Sequence, residues 1–141
     1  MTVKQISIFL ENKSGRLNEI LSILGGEQIK IIAATVADTS EFGILRMIVN
    51  DPEKAIAILK HNKISANLSD VIAIKTDSYA GAFAKTIEYF SAAGVSIEYM
   101  YCFSLNDAAI LILQTNNKEA ALDVINQNRL DLILANDLKQ L

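Results

Sequence analysis

Proline and cysteine each occur once in these 141 residues, as Pro52 and Cys102, and tryptophan is absent. A single cysteine excludes an intramolecular disulfide framework and a cysteine-based structural zinc site. One proline in a chain that is 51% apolar excludes the proline-rich, low-hydropathy composition of a disordered segment. No stretch approaches the roughly 18–20 uncharged apolar residues that span a bilayer, so no membrane role is expected. The opening Met1-Thr2-Val3-Lys4-Gln5 has no leader architecture and runs straight into a strand-like pattern. A cytoplasmic location is the expectation. Thirteen basic against sixteen acidic residues leave a net charge of −3 without a basic block, which disfavours nucleic acid as a partner.

What is present is a repeat. Displaced by 66 residues, the sequence matches itself without an insertion. Ile6 and Ile8 fall on Ile72 and Ile74, Gly15 on Gly81, and Leu17, Leu21 and Leu24 on Phe83, Ile87 and Phe90. Ile44 and Leu45 fall on Ile110 and Leu111, while Glu53, Ala55 and Asn62 fall on Glu119, Ala121 and Asn128. Isoleucines coincide easily in so apolar a chain, but glycine, glutamate, asparagine and the whole hydrophobic pattern do not coincide in one register by chance.

Each copy reads as strand, helix, strand, strand, helix, strand. Residues 3–10 alternate Ile6, Ile8 and Leu10 with polar positions, and Leu17, Ile20, Leu21 and Leu24 form one helical face that Gly25-Gly26 is placed to stop. Gly94 takes that part in the second copy. Ile29–Val36 and Phe42–Val49 are strand-like around a turn at Asp38-Thr39-Ser40-Glu41. Asp51 and Pro52 mark a helix start that turns Ala55, Ile56 and Leu59 inward. A strand near Ile64–Leu68 leads almost directly into one at Val71–Lys75. The second copy continues with Val95–Phe103, Ala108–Thr115, a helix at Lys118–Gln127 and a strand at Leu130–Leu134. The expected class is therefore α+β, two ferredoxin-like βαββαβ repeats, each an antiparallel sheet with its helices on one face. The expected boundaries are residues 1–69 and 70–141. Strands that are apolar on both faces leave one sheet face for a second chain to cover, which predicts a homodimer.

Candidates for catalysis are few. His61 follows Lys60 and precedes Asn62 and Lys63, and reads as a solvated helix end that suits the dipole. Cys102, in an apolar strand without a basic neighbour, reads as an inert core thiol. No zinc-protease, P-loop or nucleophile-elbow pattern occurs. Neither an enzyme activity, a metal nor a cofactor is expected.

The informative stretch joins the first strand to the first helix of each copy. It reads Glu11-Asn12-Lys13-Ser14-Gly15-Arg16-Leu17, then Asp77-Ser78-Tyr79-Ala80-Gly81-Ala82-Phe83. Asn12 and Ser78 are expected as helix caps with glycine inside the first turn, leaving N–H groups open to a carboxylate. The glycine admits two readings: a ligand or strand approaching closely, or tight packing of the loop.

Asn12-Lys13-Ser14-Gly15-Arg16-Leu17 within a duplicated βαββαβ plan resembles the ACT domain, with Ser78–Phe83 as a second version. That resemblance implies a regulatory protein that binds a free amino acid and modulates a partner enzyme. It implies copies paired side by side through their second strands into an eight-stranded sheet. It further implies one site formed by Glu11, Asn12, Lys13, Ser14, Gly15, Arg16 and Leu17 against Ile97, Tyr99, Met100 and Tyr101. A second would use Ser78, Tyr79, Ala80 and Gly81 against Ile31, Ala33, Ala34 and Thr35. Ser14 and Ala80 replace the proline frequent before the glycine, and Phe83 replaces leucine, so the first loop keeps the pattern better. The tyrosines of Tyr99–Tyr101, with Phe103, suit either a pocket wall or packing across an interface. Two other readings compete. A purely structural dimerisation module predicts apolar side chains closed over both glycines. An RNA-binding domain of this topology would want a basic face and exposed central-strand aromatics.

Overall fold

The structure, a computed structural model, describes residues 2–11, 14–38 and 42–140. Its contacts divide into two units, one of Lys4–Asp70 with the chain from Asn136 onward, the other of Val71–Ala135 with the first residues of the chain.

In the N-terminal unit β1 (Val3–Glu11), α1 (Arg16–Gly26), β2 (Ile31–Asp38), β3 (Phe42–Val49), α2 (Pro52–His61) and the start of β4 (Ala66–Asp77) follow the expected plan. The strand order is β2-β3-β1-β4, and β3 runs antiparallel to both β1 and β2. Ile6, Ile8 and Leu10 of β1 and Leu45, Met47 and Val49 of β3 face Ile20 and Leu24 of α1 and Ala55 and Leu59 of α2. A one-residue slip of β1 would turn Ile6, Ile8 and Leu10 out of this core, at about 1.5–3 kcal/mol each. The alternation thus determines the register. Leu17 is the exception on the α1 face, 36% exposed at the first turn.

The C-terminal unit repeats the plan with the rest of β4, α3 (Ala82–Ala92), β5 (Ile97–Leu105), β6 (Ala108–Thr115), α4 (Lys118–Gln127) and β7 (Asp131–Leu132). β6 pairs antiparallel with β5 and β4, and β7 with β4. Phe90 of α3 is fully buried among Ile72, Ile74, Leu111, Leu113, Val124 and Ile125. The repeated polar residues do repeated work. Asp51 and Asn117 each cap a helix, accepting from Lys54 N and Ala120 N at 3.1 Å. Asn50 and Asn116 accept from the N–H of Lys30 and Ser96. Asn62 and Asn128 donate to carbonyls of the preceding helical turn, those of Ile58 and Val124.

Several expectations are corrected. The last strand of the first copy and the first of the second are one twelve-residue strand, β4, because Asn67-Leu68-Ser69-Asp70 contains no glycine or proline to break it. The described residues therefore form seven strands rather than eight. β2 and β5 begin two residues later than read, since the N–H groups of Ile29 and Val95 still bond the carbonyls of Leu24 and Phe90. Gly25-Gly26 ends α1 from within the helix. The left-handed residue after it is Gln28, φ 65°, at the position equivalent to Gly94, φ 74°. The closing strand of the second copy shortens to Asp131–Leu132, and a further helical turn, α5 (Ala135–Lys139), follows with Leu138 buried. Ile48, Ile110 and Ile112 alternate with the helix-facing residues and are themselves buried. Among the described residues no helix is long and apolar enough to cross a membrane.

Candidate functional site

Both first helices start in the same way. Gly15 and Gly81 are the N-cap residues, with φ of 85° and 90°, and their carbonyls accept the first helical bonds from Glu19 and Lys85. The glycine is thus outside the first turn, and the expected caps are displaced. The Ser78 hydroxyl donates instead to the Asp107 carbonyl at 3.1 Å, while Asn12 lies outside the described residues. Among the described residues no side chain caps α1 or α3, in contrast to α2 and α4. Neither of the two readings of the glycine is needed. A Cβ at Gly15 or Gly81 would meet nothing within 4 Å, and the left-handed backbone itself selects glycine. An L-residue pays roughly 1–2 kcal/mol there. Gly15→Asn is accordingly expected to be tolerated better than Gly15→Val, for which a cost of about 1–3 kcal/mol is expected in thermal denaturation. Equal losses for the two variants would contradict a left-handed cap.

The uncapped start of α1 opens onto a polar cavity of about 400 Å³ lined by Glu11, Ser14, Gly15, Arg16 and Glu19. Arg16 donates to Glu19 at 3.2 Å through Nη1, while its Nε is buried without a hydrogen-bond partner among the described residues. Arg16 and Glu11 also line a second cavity of about 420 Å³, completed by Phe9, Leu10, Phe42, Lys63, Ile64 and Ser65. Phe9 and Phe42 meet edge to face, centroids 6.1 Å apart at 72°. The site thus offers two carboxylates, a guanidinium, an ammonium and open helical N–H groups beside an aromatic wall. Its charges are of both signs, complementary to the two ends of a zwitterion.

Of the residues proposed from sequence, Glu11, Ser14, Gly15 and Arg16 come together here, Leu17 points to solvent on the first turn, and Asn12 and Lys13 are outside the described residues. Ile97, Tyr99, Met100 and Tyr101 lie on β5 of the C-terminal unit, where Tyr99 and Tyr101 pair with Gln114 and Ile112 and are half-buried. Ile31, Ala33, Ala34 and Thr35 lie on β2, the outer strand of its unit, with Thr35 opposite Arg46. In the second loop Ser78, Tyr79, Ala80 and Gly81 are exposed, and the Tyr79 carbonyl accepts from Ala82 N at 3.0 Å. Cys102 is exposed rather than buried, because helix cover ends at β6: its neighbour Leu111 is buried and β5 lies beyond. Phe9, Glu19, Phe42 and Lys63 were not among the sequence candidates. A signal for them existed in the repeat, since the equivalent positions hold Lys75, Lys85, Ala108 and Arg129, three of them changed in character. Among the described residues no cluster of ligating side chains would hold a metal.

A family model described as the ACT domain pair matches residues 1–141. The chain is similar to protein BT0572 from Bacteroides thetaiotaomicron, with 44% identity and a TM-score of 0.96 over 100% of this chain and 98% of that one. Its fold is also similar to the regulatory subunit of aspartate kinase from Thermus thermophilus in ligand-free form, at 17% identity and a TM-score of 0.66 over 88% and 90% of the two chains. The corresponding subunit from Thermus flavus gives 18% and 0.63 over the same shares. Comparison with curated proteins found no match.

Proposed function

We propose, for a chain that belongs to the ACT domain-pair family, a non-catalytic regulatory role: it binds a free amino acid at the loop between β1 and α1 and thereby modulates a cytoplasmic partner enzyme of amino-acid metabolism. The observation that carries this reading is the uncapped, glycine-led start of α1 above a cavity lined by Glu11, Ser14, Arg16 and Glu19. The first-turn N–H groups and the Arg16 guanidinium suit a carboxylate, and Glu11 with Glu19 suits an ammonium. The purely structural alternative asks for side chains closed over Gly15 and Gly81, against which stands the open space above both. Solved chains of the same fold include regulatory subunits of aspartate kinase, in keeping with action on an enzyme. The same reading takes the protein as a homodimer, supported by the exposed Val36 and Met100 on the outer strands β2 and β5.

One ligand per chain is expected. In the second copy Ala82 stands for Arg16 and Lys85 for Glu19, and the Ser78 hydroxyl is already engaged with Asp107. A thermal-shift screen of the full chain against the twenty amino acids is expected to single out one or a few. At a hundred times Kd the linkage is about 2.7 kcal/mol, enough for a rise of several degrees. No shift with any of them at millimolar concentration would sink the reading.

A further inference from the structure

We infer that the cavity walled by Phe9 and Phe42 receives the side chain of the bound amino acid, and that this side chain is aromatic; the inference rests on the amino-acid reading of the first loop. Phe9 is 62% exposed and Phe42 45% exposed. Single exposed apolar residues are ordinary, but two phenylalanines in contact and lining one cavity form a patch that calls for an occupant. The register explains their meeting. Glu11 of β1 lies opposite Phe42 of β3 and Phe9 opposite Ile44, so the two rings are diagonal neighbours on the face turned away from the helices. At about 420 Å³ the cavity falls in the range of small-molecule sites, roughly 300–1,000 Å³.

The two cavities are adjacent, since Glu11 and Arg16 line both. A ligand with its charged head among Glu11, Ser14, Arg16 and Glu19 therefore sends its side chain past Arg16 toward the rings. An acidic side chain would meet two phenyl rings and the Glu11 carboxylate, with Lys63 in its favour and Arg16 shared with the ligand's own carboxylate. A small side chain would leave both rings in water. An aromatic one has edge-to-face partners in Phe9 and Phe42 and a cation, Lys63, on the same wall. These walls are not demanded by the scaffold, because the same fold in the second copy places Lys75 and Ala108 there.

Calorimetric titration of the full chain with phenylalanine, tyrosine, tryptophan, leucine, alanine and aspartate tests this. At least one aromatic amino acid is expected to bind about tenfold or more tightly than alanine. Phe9→Ala and Phe42→Ala should each erase most of that preference while leaving the melting temperature of the free protein nearly unchanged, since both rings are exposed. Phe9→Leu and Phe42→Leu, which keep an apolar strand position, should lower the preference for aromatic ligands over leucine. Tighter binding of alanine or aspartate, or full affinity for an aromatic amino acid in all the phenylalanine variants, would overturn the aromatic assignment. The reading of the loop as an amino-acid site would survive either result provided that affinity falls about tenfold or more in Arg16→Ala. Absence of binding by any amino acid would overturn both.

Discussion

Phe90→Ala is expected to destabilise the C-terminal unit by about 3–5 kcal/mol, the usual cost of deleting a buried phenylalanine. Phe90 has no exposed surface, and it holds α3 against β4, β6 and α4 through Ile72, Ile74, Leu111, Leu113 and Val124. Its backbone carbonyl accepts from Val95 N at 2.9 Å, which places the residue at the reversal into β5. Against a typical total stability of about 5–15 kcal/mol, the loss should lower the melting temperature by roughly 10 °C or more. All four tyrosines lie between Tyr79 and Tyr101, so tyrosine fluorescence reports on this unit alone. The tyrosine signal should therefore move more than far-ultraviolet dichroism averaged over the chain. Phe90→Leu, which copies Leu24 of the first repeat, should cost less than about 1.5 kcal/mol. A loss below about 1 kcal/mol for alanine would mean that the core is packed differently.

Arg16→Ala is the substitution expected to act most strongly on ligand binding. A charged hydrogen-bond donor is worth about 1.5–3 kcal/mol to its partner, so affinity for the amino acid should fall between about tenfold and a hundredfold. Stability should scarcely respond, because the pair with Glu19 lies at the surface, where such pairs contribute about 0–1 kcal/mol. Arg16→Lys retains the charge and loses the planar fork, and should fall between the two. Titration calorimetry and a melt of the unliganded variant separate the effects. Affinity within twofold of the original for Arg16→Ala would remove this residue from the site.

The fold was legible because its information is periodic. Ile6 and Ile8 alternate, Leu17, Leu21 and Leu24 recur at helical spacing, and both patterns appear again 66 residues later as Ile72 and Ile74 and as Phe83, Ile87 and Phe90, so each copy vouches for the other. Boundaries were less legible where backbone bonding, rather than hydropathy, decides them. Ile29 and Val95 look like strand residues, but their N–H groups close the preceding helix. The candidate site was legible only along the chain. Glu11, Ser14, Gly15 and Arg16 are near neighbours in sequence, whereas Phe9 and Phe42 are brought together by the β1–β3 register and Lys63 by the end of α2. Nothing local marks a phenylalanine at a strand end as part of a cavity. Cys102 failed for a related reason: an apolar strand pattern does not reveal which strand is outermost, and at the outermost one the helix-facing side is left bare.

Gly15 and Gly81 carry a stereochemical consequence. With φ near 85–90° and no atom within 4 Å of the place a side chain would occupy, each position is shaped for a residue of mirror-image configuration. Ribosomal synthesis supplies none, and glycine is the achiral compromise. It fits the folded loop without strain but leaves the unfolded chain freer, a difference that for a well-matched substituted residue is worth about 0.4–1 kcal/mol. The handedness of the amino acids, rather than any contact in the folded protein, thus sets a ceiling on how firmly these two helix starts can be held.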